Sequence, residues 1–167
     1  MFVRNNTDRF LRTLQVLKLT ANEPMPFDLL LLADETVEAI VKYLYSSEVY
    51  VVTTLNKEIL AVLVLYPLSD IEIEIKNIAV RDNLQRKGIG SYLLNYAVNT
   101  AQRSGYRQLW VGTPSIAAKE IVFFEKNGFK IAGLKKRFFI ENYPEPIMED
   151  GLLLEDMVML KINLCDH

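Results

Sequence analysis

Along residues 27–46, apolar side chains recur at helical spacing with one break, and Asp34 stands where it would cap the second of two helices. Ahead of them, residues 10–19 (FLRTLQVLKL) read as a first strand, after which Pro24 and Pro26 punctuate the chain. Two stretches rich in β-branched and aromatic residues follow, at 48–55 and 58–66. The Asn56-Lys57 pair between them predicts a tight hairpin.

In residues 71–80 the apolar positions are odd at first (Ile71, Ile73, Ile75) and then even (Ile78, Val80). Strand side chains alternate strictly, so the change of phase leaves two readings: an extra residue in a β-bulge near Lys76-Asn77, or a strand that ends at Lys76. Downstream, Ile89, Leu93, Leu94, Ala97, Val98 and Ala101 trace one face of a helix that ends at Gly105. Residues 107–113 read as a strand and 117–127 as a helix closed by Gly128. Two more strands fit at 129–137 and 152–164, around a proline-containing loop. The order predicts a mixed α/β fold in which helices pack on a largely antiparallel sheet. A length of 167 residues predicts one domain spanning 1–167.

Composition acts mainly by exclusion. With 50% hydrophobic and 24% charged residues the chain is ordinary globular material rather than disordered. A formal net charge of -2 gives no basic patch for nucleic acid, so no nucleic-acid partner is expected. The one cysteine, Cys165, rules out an internal disulfide and makes a cytoplasmic setting the expectation. The one histidine, His167, is the last residue, so neither a Ser-His-Asp machine nor a histidine-built metal site is expected. No run reaches the about 20 apolar residues of a membrane span, and the N-terminus lacks the apolar stretch of a signal peptide. The richest run, Leu29 to Ala33, stops at Asp34-Glu35.

Between the strand at 71–80 and the helix from 89 lies Gln85-Arg86-Lys87-Gly88-Ile89-Gly90. A strand, a glycine loop and a helix start suit phosphate. The first turn of a helix leaves its N–H groups unpaired at the positive end of the macrodipole, and glycine lets the backbone come close. A P-loop needs lysine after its second glycine, but Ser91 follows Gly90. The dinucleotide fingerprint needs a third glycine three residues on, where Leu93 stands. A turn whose glycines serve only backbone geometry is the plain alternative.

The block from Asn77 to Phe129 resembles the GNAT superfamily of acetyl-CoA-dependent N-acetyltransferases. Asn77-Ile78-Ala79-Val80 and Gln85-Arg86-Lys87-Gly88-Ile89-Gly90 are similar to the family's strand end and Gln/Arg-x-x-Gly-x-Gly/Ala loop. Phe123-Phe124-Glu125-Lys126-Asn127-Gly128-Phe129 looks like its helix ending in Gly-Phe. The resemblance implies a GNAT fold, with a central, mixed, largely antiparallel seven-stranded sheet and helices on both faces. It implies acetyl-CoA as cosubstrate. Pantetheine would pair with backbone around Ile78, Ala79 and Val80, and pyrophosphate would rest on the loop from Gln85 through Arg86, Lys87, Gly88, Ile89 and Gly90 to Ser91. Ser115 and Phe124 would flank the thioester end.

Acetyl transfer requires a neutral amine. An alkyl ammonium with a reference pKa of about 10.4 costs about 4.6 kcal/mol to deprotonate at pH 7, against about 2 kcal/mol for a thiol to leave as thiolate. The base therefore matters more than the acid. On pattern alone, Glu72, Glu74 and Lys76 read as the solvated face of a half-buried strand. The resemblance instead makes Glu74 the general base, directly or through water, and the backbone N–H near Ile78 the oxyanion donor. Where many family members place a tyrosine acid this chain has Phe124, and Ser115 replaces a frequent asparagine. Tyr143 is the substitute acid, with water as the alternative.

Residues 138–150 hold Glu141, Glu145, Glu149 and Asp150 with Phe138, Phe139 and Tyr143, and no basic residue. They suit a cationic amine, or else form a solvated loop answering Lys135-Lys136-Arg137. In the family this region borders the acceptor or a homodimer partner. The expected activity is N-acetylation of a primary amine of a small molecule or peptide. A non-catalytic acetyl-CoA sensor and a nucleotide-binding module are the rival classes.

Overall fold

The computed structural model describes residues 2–164; Cys165 and His167 lie outside the described residues. Seven strands form one sheet in the order β1-β2-β3-β4-β5-β9-β6. They are β1 (Gln15–Leu19), β2 (Glu48–Thr53), β3 (Ile59–Pro67), β4 (Glu72–Val80), β5 (Gln108–Pro114), β6 (Lys130–Lys135) and β9 (Met157–Asn163). Strands β7 (Met148–Glu149) and β8 (Leu152–Leu153) make a separate hairpin, turned by Asp150 (φ 49°) and Gly151 (φ 78°). The pairs β1/β2, β2/β3, β5/β9 and β6/β9 are antiparallel, which bears out the largely antiparallel α/β expectation.

The contacts divide the chain into two compact units, Met1–Pro67 with Ile75–Thr100, and Leu68–Glu74 with Ala101–His167. In the first, α2 (Phe27–Leu30) and α3 (Val37–Leu44) bury Leu29, Leu30, Ile40 and Leu44 against Val49, Val51, Val62, Val64 and Ala79 of the sheet. Each fully buried leucine or isoleucine contributes about 1.5–3 kcal/mol. Helix α4 (Ile89–Arg103) adds Ile89, Leu93, Leu94 and Ala97, all buried, as its apolar stripe predicts.

Several local expectations are corrected. Residues 10–19 are not one strand: α1 (Phe2–Leu11) occupies the N-terminus and β1 starts only at Gln15. Thr13 explains the break, since its backbone N–H and its hydroxyl both donate to the Phe10 carbonyl, at 2.9 and 2.7 Å, and so close the helix. The cap of α3 is Thr36, whose Oγ1 accepts from Ala39 N at 3.1 Å; Asp34 instead accepts from Glu35 N and from the Tyr43 hydroxyl. The Asn56-Lys57 hairpin forms, closed by Lys57 N on the Thr54 carbonyl (2.9 Å), with Lys57 left-handed.

In the second unit, β5, β9 and β6 lie side by side, and Leu109, Val111 and Leu160 are buried. The strand expected over 152–164 is split between β8 and β9, and that expected over 129–137 is the shorter β6. After it come α6 (Phe138–Asn142) and the β7/β8 hairpin. Helix α5 (Ala118–Lys126) closes as expected at left-handed Gly128, where Phe129 N returns to the Phe124 carbonyl (3.1 Å) and the two rings pack 5.8 Å apart. Gly112 is held by close approach: a Cβ there would lie 2.5 Å from Met157 Sδ.

Candidate active site

Strand β4 carries the first group of site residues, and the change of apolar phase along it has an unexpected cause. Burial does not change phase: Ile75, Asn77 and Ala79 are buried while Lys76, Ile78 and Val80 are half-buried, an unbroken alternation. The odd-numbered face stays the core face because Asn77, only 2% exposed, takes a core position with its amide hydrogen-bonded. Ile78 and Val80 consequently lie on the other face, and burial along this stretch needs no inserted residue. The strand also continues past Lys76.

Glu74 is 4% exposed, so it does not belong to a solvated face. Its neighbours of the same pattern are engaged differently. Glu72 accepts from Trp110 Nε1 at 3.1 Å, and the Lys76 ammonium sits 5.6 Å from the Tyr66 ring centre. A carboxylate this buried is not a solubilising surface group.

From Val80 the chain enters the glycine loop. Arg81 anchors it: its N–H donates to the Leu60 carbonyl (3.0 Å), its Nε to the Ile59 carbonyl (2.6 Å), and its guanidinium pairs with Asp28 (3.1 Å). A 3-10 turn at Asp82–Leu84 follows. The Gln85 side chain donates to the Val80 carbonyl and to Asp82, both at 3.2 Å, and so braces the loop against the end of β4. Arg86 (φ 61°) and Gly88 (φ 86°) are both left-handed, which turns the backbone sharply into α4. The first closing bond is Tyr92 N to the Gly88 carbonyl (3.0 Å), so the N–H groups of Ile89, Gly90 and Ser91 precede the helical ladder. Arg86, Lys87 and Ser91 are exposed, while Gly88 and Gly90 are half-buried. This geometry fits a pyrophosphate held by backbone donors. Sequence reasoning missed that α1 lies beside the loop: a Cβ on Gly88 would sit 3.5 Å from Leu11 Cδ1 and 3.7 Å from Thr7 Cγ2.

The second unit holds the remaining residues named from sequence. Ser115 is exposed, with its N–H on the Asp156 carbonyl (2.9 Å). Phe124 is buried between Phe123 and Phe129, at ring distances of 5.4 and 5.8 Å. Tyr143 stacks on Phe139 at 5.8 Å. The acidic stretch is partly answered from nearby: Arg137 pairs with Glu141 at 3.7 Å, and Lys135 lies 5.7 Å from the Phe138 ring centre. Those two contacts support the solvated-loop reading over a cation site. Among the described residues no cluster of metal-ligating side chains occurs, and no helix is long and apolar enough to cross a membrane.

Comparisons with known proteins bear on the family and the fold. Residues 46–131 match the family model described as an acetyltransferase (GNAT) domain. A curated relative, the uncharacterized N-acetyltransferase YvbK of Bacillus subtilis, is 35% identical over 138 residues, covering 83% of this chain and 88% of its own length. A GNAT family acetyltransferase from Elizabethkingia anophelis, solved with acetyl-CoA bound, is 41% identical with a TM-score of 0.87, over 91% of this chain and 99% of that one. A structure from Bacillus cereus described as an IAA acetyltransferase is 34% identical with a TM-score of 0.83, over 90% and 99%. The chain belongs to the GNAT family of acetyl-CoA-dependent N-acetyltransferases.

Proposed function

We propose that this protein transfers acetyl from acetyl-CoA to a primary amine of a small molecule or peptide, by direct attack in a ternary complex. The observation that carries the reading is the left-handed turn at Arg86–Gly88 opening α4, which leaves the N–H groups of Ile89, Gly90 and Ser91 ahead of the helical ladder. When bound, acetyl-CoA supplies an acetyl group activated as a thioester. The loop from Arg86 to Ser91 holds its pyrophosphate, and the backbone of Ile78, Ala79 and Val80 aligns its pantetheine arm. Ser115 and the helix bearing Phe124 flank the thioester. The Ile78 N–H donates to the charge that develops on the acetyl oxygen. Glu74 takes the amine proton, directly or through water, meeting the larger of the two proton costs. Tyr143 is the residue proposed to return a proton to the thiolate.

The amine need not be strongly cationic, because Arg137 and Lys135 already stand among the acidic and aromatic groups near α6. We place the enzyme in the cytoplasm and allow it a homodimeric form. A second reading, an acetyl-CoA sensor without turnover, draws on Phe124, which fills its position with a ring that has no proton to give. Calorimetric titration with acetyl-CoA followed by thiol release across an amine panel separates them. Binding with release for one amine class supports the enzyme, binding with no release supports the sensor, and no binding refutes both.

A further inference from the structure

We propose that Asn77 is a positioning residue for acetyl transfer, one that aims the Ile78 N–H by tying β4 to the α2–α3 segment; this rests on the reading of Ile78 given above. The Asn77 amide donates to the Leu30 carbonyl at the end of α2 (2.8 Å) and to the Tyr43 hydroxyl on α3 (3.2 Å). The Tyr43 hydroxyl in turn donates to Asp34 in the loop between those helices (3.1 Å). Burial raises the Tyr43 pKa, with the Asp34 charge adding to it against the Asn77 bond, so the phenol stays a neutral donor. One side chain on β4 is thereby fixed to two helices and, through them, to their connecting loop.

The covalent geometry gives this tie its consequence. The N–H of Ile78 belongs to the rigid peptide unit whose other end is the Asn77 Cα. Whatever holds the Asn77 side chain therefore restrains the plane of that N–H. An oxyanion donor is useful only if already aimed where charge develops. The position is not one that packing alone would give to asparagine. It continues the buried face of Ile73, Ile75 and Ala79, and its Oδ1 is buried with no donor among the described residues. An apolar side chain would fill the place without that unmet acceptor. The polar residue serves orientation.

The test uses the full-length protein with acetyl-CoA and an amine that supports turnover, comparing Asn77→Leu with Tyr43→Phe. Asn77→Leu is expected to lower kcat about 100-fold, the cost of misplacing a reacting or stabilising group by about 1 Å, with the acetyl-CoA Kd within about twofold. Hydrogen exchange of the Ile78 amide should rise about tenfold while β3 stays protected. Tyr43→Phe keeps the bond to Leu30 and should lower kcat by about two- to tenfold, the net worth of one hydrogen bond, which decides the matter if Asn77→Leu does not fold. A lower Tm with kcat per folded molecule unchanged overturns the proposal and leaves Asn77 a core hydrogen bond. Parallel loss of kcat and of acetyl-CoA affinity also overturns it, because Asn77 would then shape the cofactor site. If the wild type binds acetyl-CoA but releases no CoA with any amine, the underlying reading has failed and this inference falls with it, a result visible before any variant is made.

Discussion

Replacing Gly88 by alanine isolates the conformation of the glycine loop from its space. Gly88 has φ 86°, where an L-residue pays about 1–2 kcal/mol, while its added Cβ would meet Leu11 and Thr7 at ordinary contact distances of 3.5 and 3.7 Å. The penalty is therefore torsional and not a clash. In the free protein the loop can relax to a less strained turn, but holding pyrophosphate requires the left-handed turn again. Binding must then meet the whole 1–2 kcal/mol, which predicts an acetyl-CoA Kd raised about 5- to 30-fold. Asparagine tolerates left-handed backbone better, so Gly88→Asn should lose clearly less. Calorimetric titration of the three proteins measures this directly, with thermal melts to show that each is folded. An alanine variant within twofold of wild type, or one no weaker than asparagine, would refute the assignment of this turn to the cofactor.

Three further outcomes are expected. Glu74→Gln should lower turnover about 10²- to 10⁴-fold near neutral pH, with the deficit shrinking as pH approaches the pKa of the amine itself; an unchanged pH–rate profile would remove Glu74 as base. Gly112→Ala should destabilise by about 1–3 kcal/mol, because the new Cβ meets Met157 Sδ at 2.5 Å and the thioether must shift; denaturant melts would reveal it, and an unchanged midpoint would contradict the packing of β5 on β9. Thr36→Ala should cost about 1 kcal/mol by leaving the Ala39 N–H uncapped, whereas Asp34→Ala should spare the cap; equal losses in melts would argue against Thr36 as the cap.

What could be read from the chain without coordinates was its local chemistry. The stretch from Gln85 to Gly90 announced a turn into a helix because glycine and a following apolar stripe are local signals, and α4 starts at Ile89 as they require. The Gly128-Phe129 stop was legible for the same reason. Asn77 was not: its place in the core depends on a carbonyl 47 positions earlier, and no window of sequence contains that bond. The cap of α3 fell to Thr36 rather than Asp34: both are good capping residues, and the folded chain gives the Ala39 N–H to Thr36 while Asp34 accepts from Glu35 N and the Tyr43 hydroxyl. The charge of Glu74 resembled those of Glu72 and Lys76 until burial separated it from them. Burial removes the solvated-face reading that the alternation suggested for Glu74.

The last strand of the sheet, β6, runs Lys-Ile-Ala-Gly-Leu-Lys, pairs with β9 along one side and is exposed throughout. A second copy laid antiparallel and in register along its other side would set Lys130 opposite Lys135, twice. Like charges facing each other across a strand pair oppose the union, and terminal lysines act as guards on an open edge. Crowded molecules are thus discouraged from growing sheet upon sheet, and a homodimer through this edge would tighten as added salt screens the lysines.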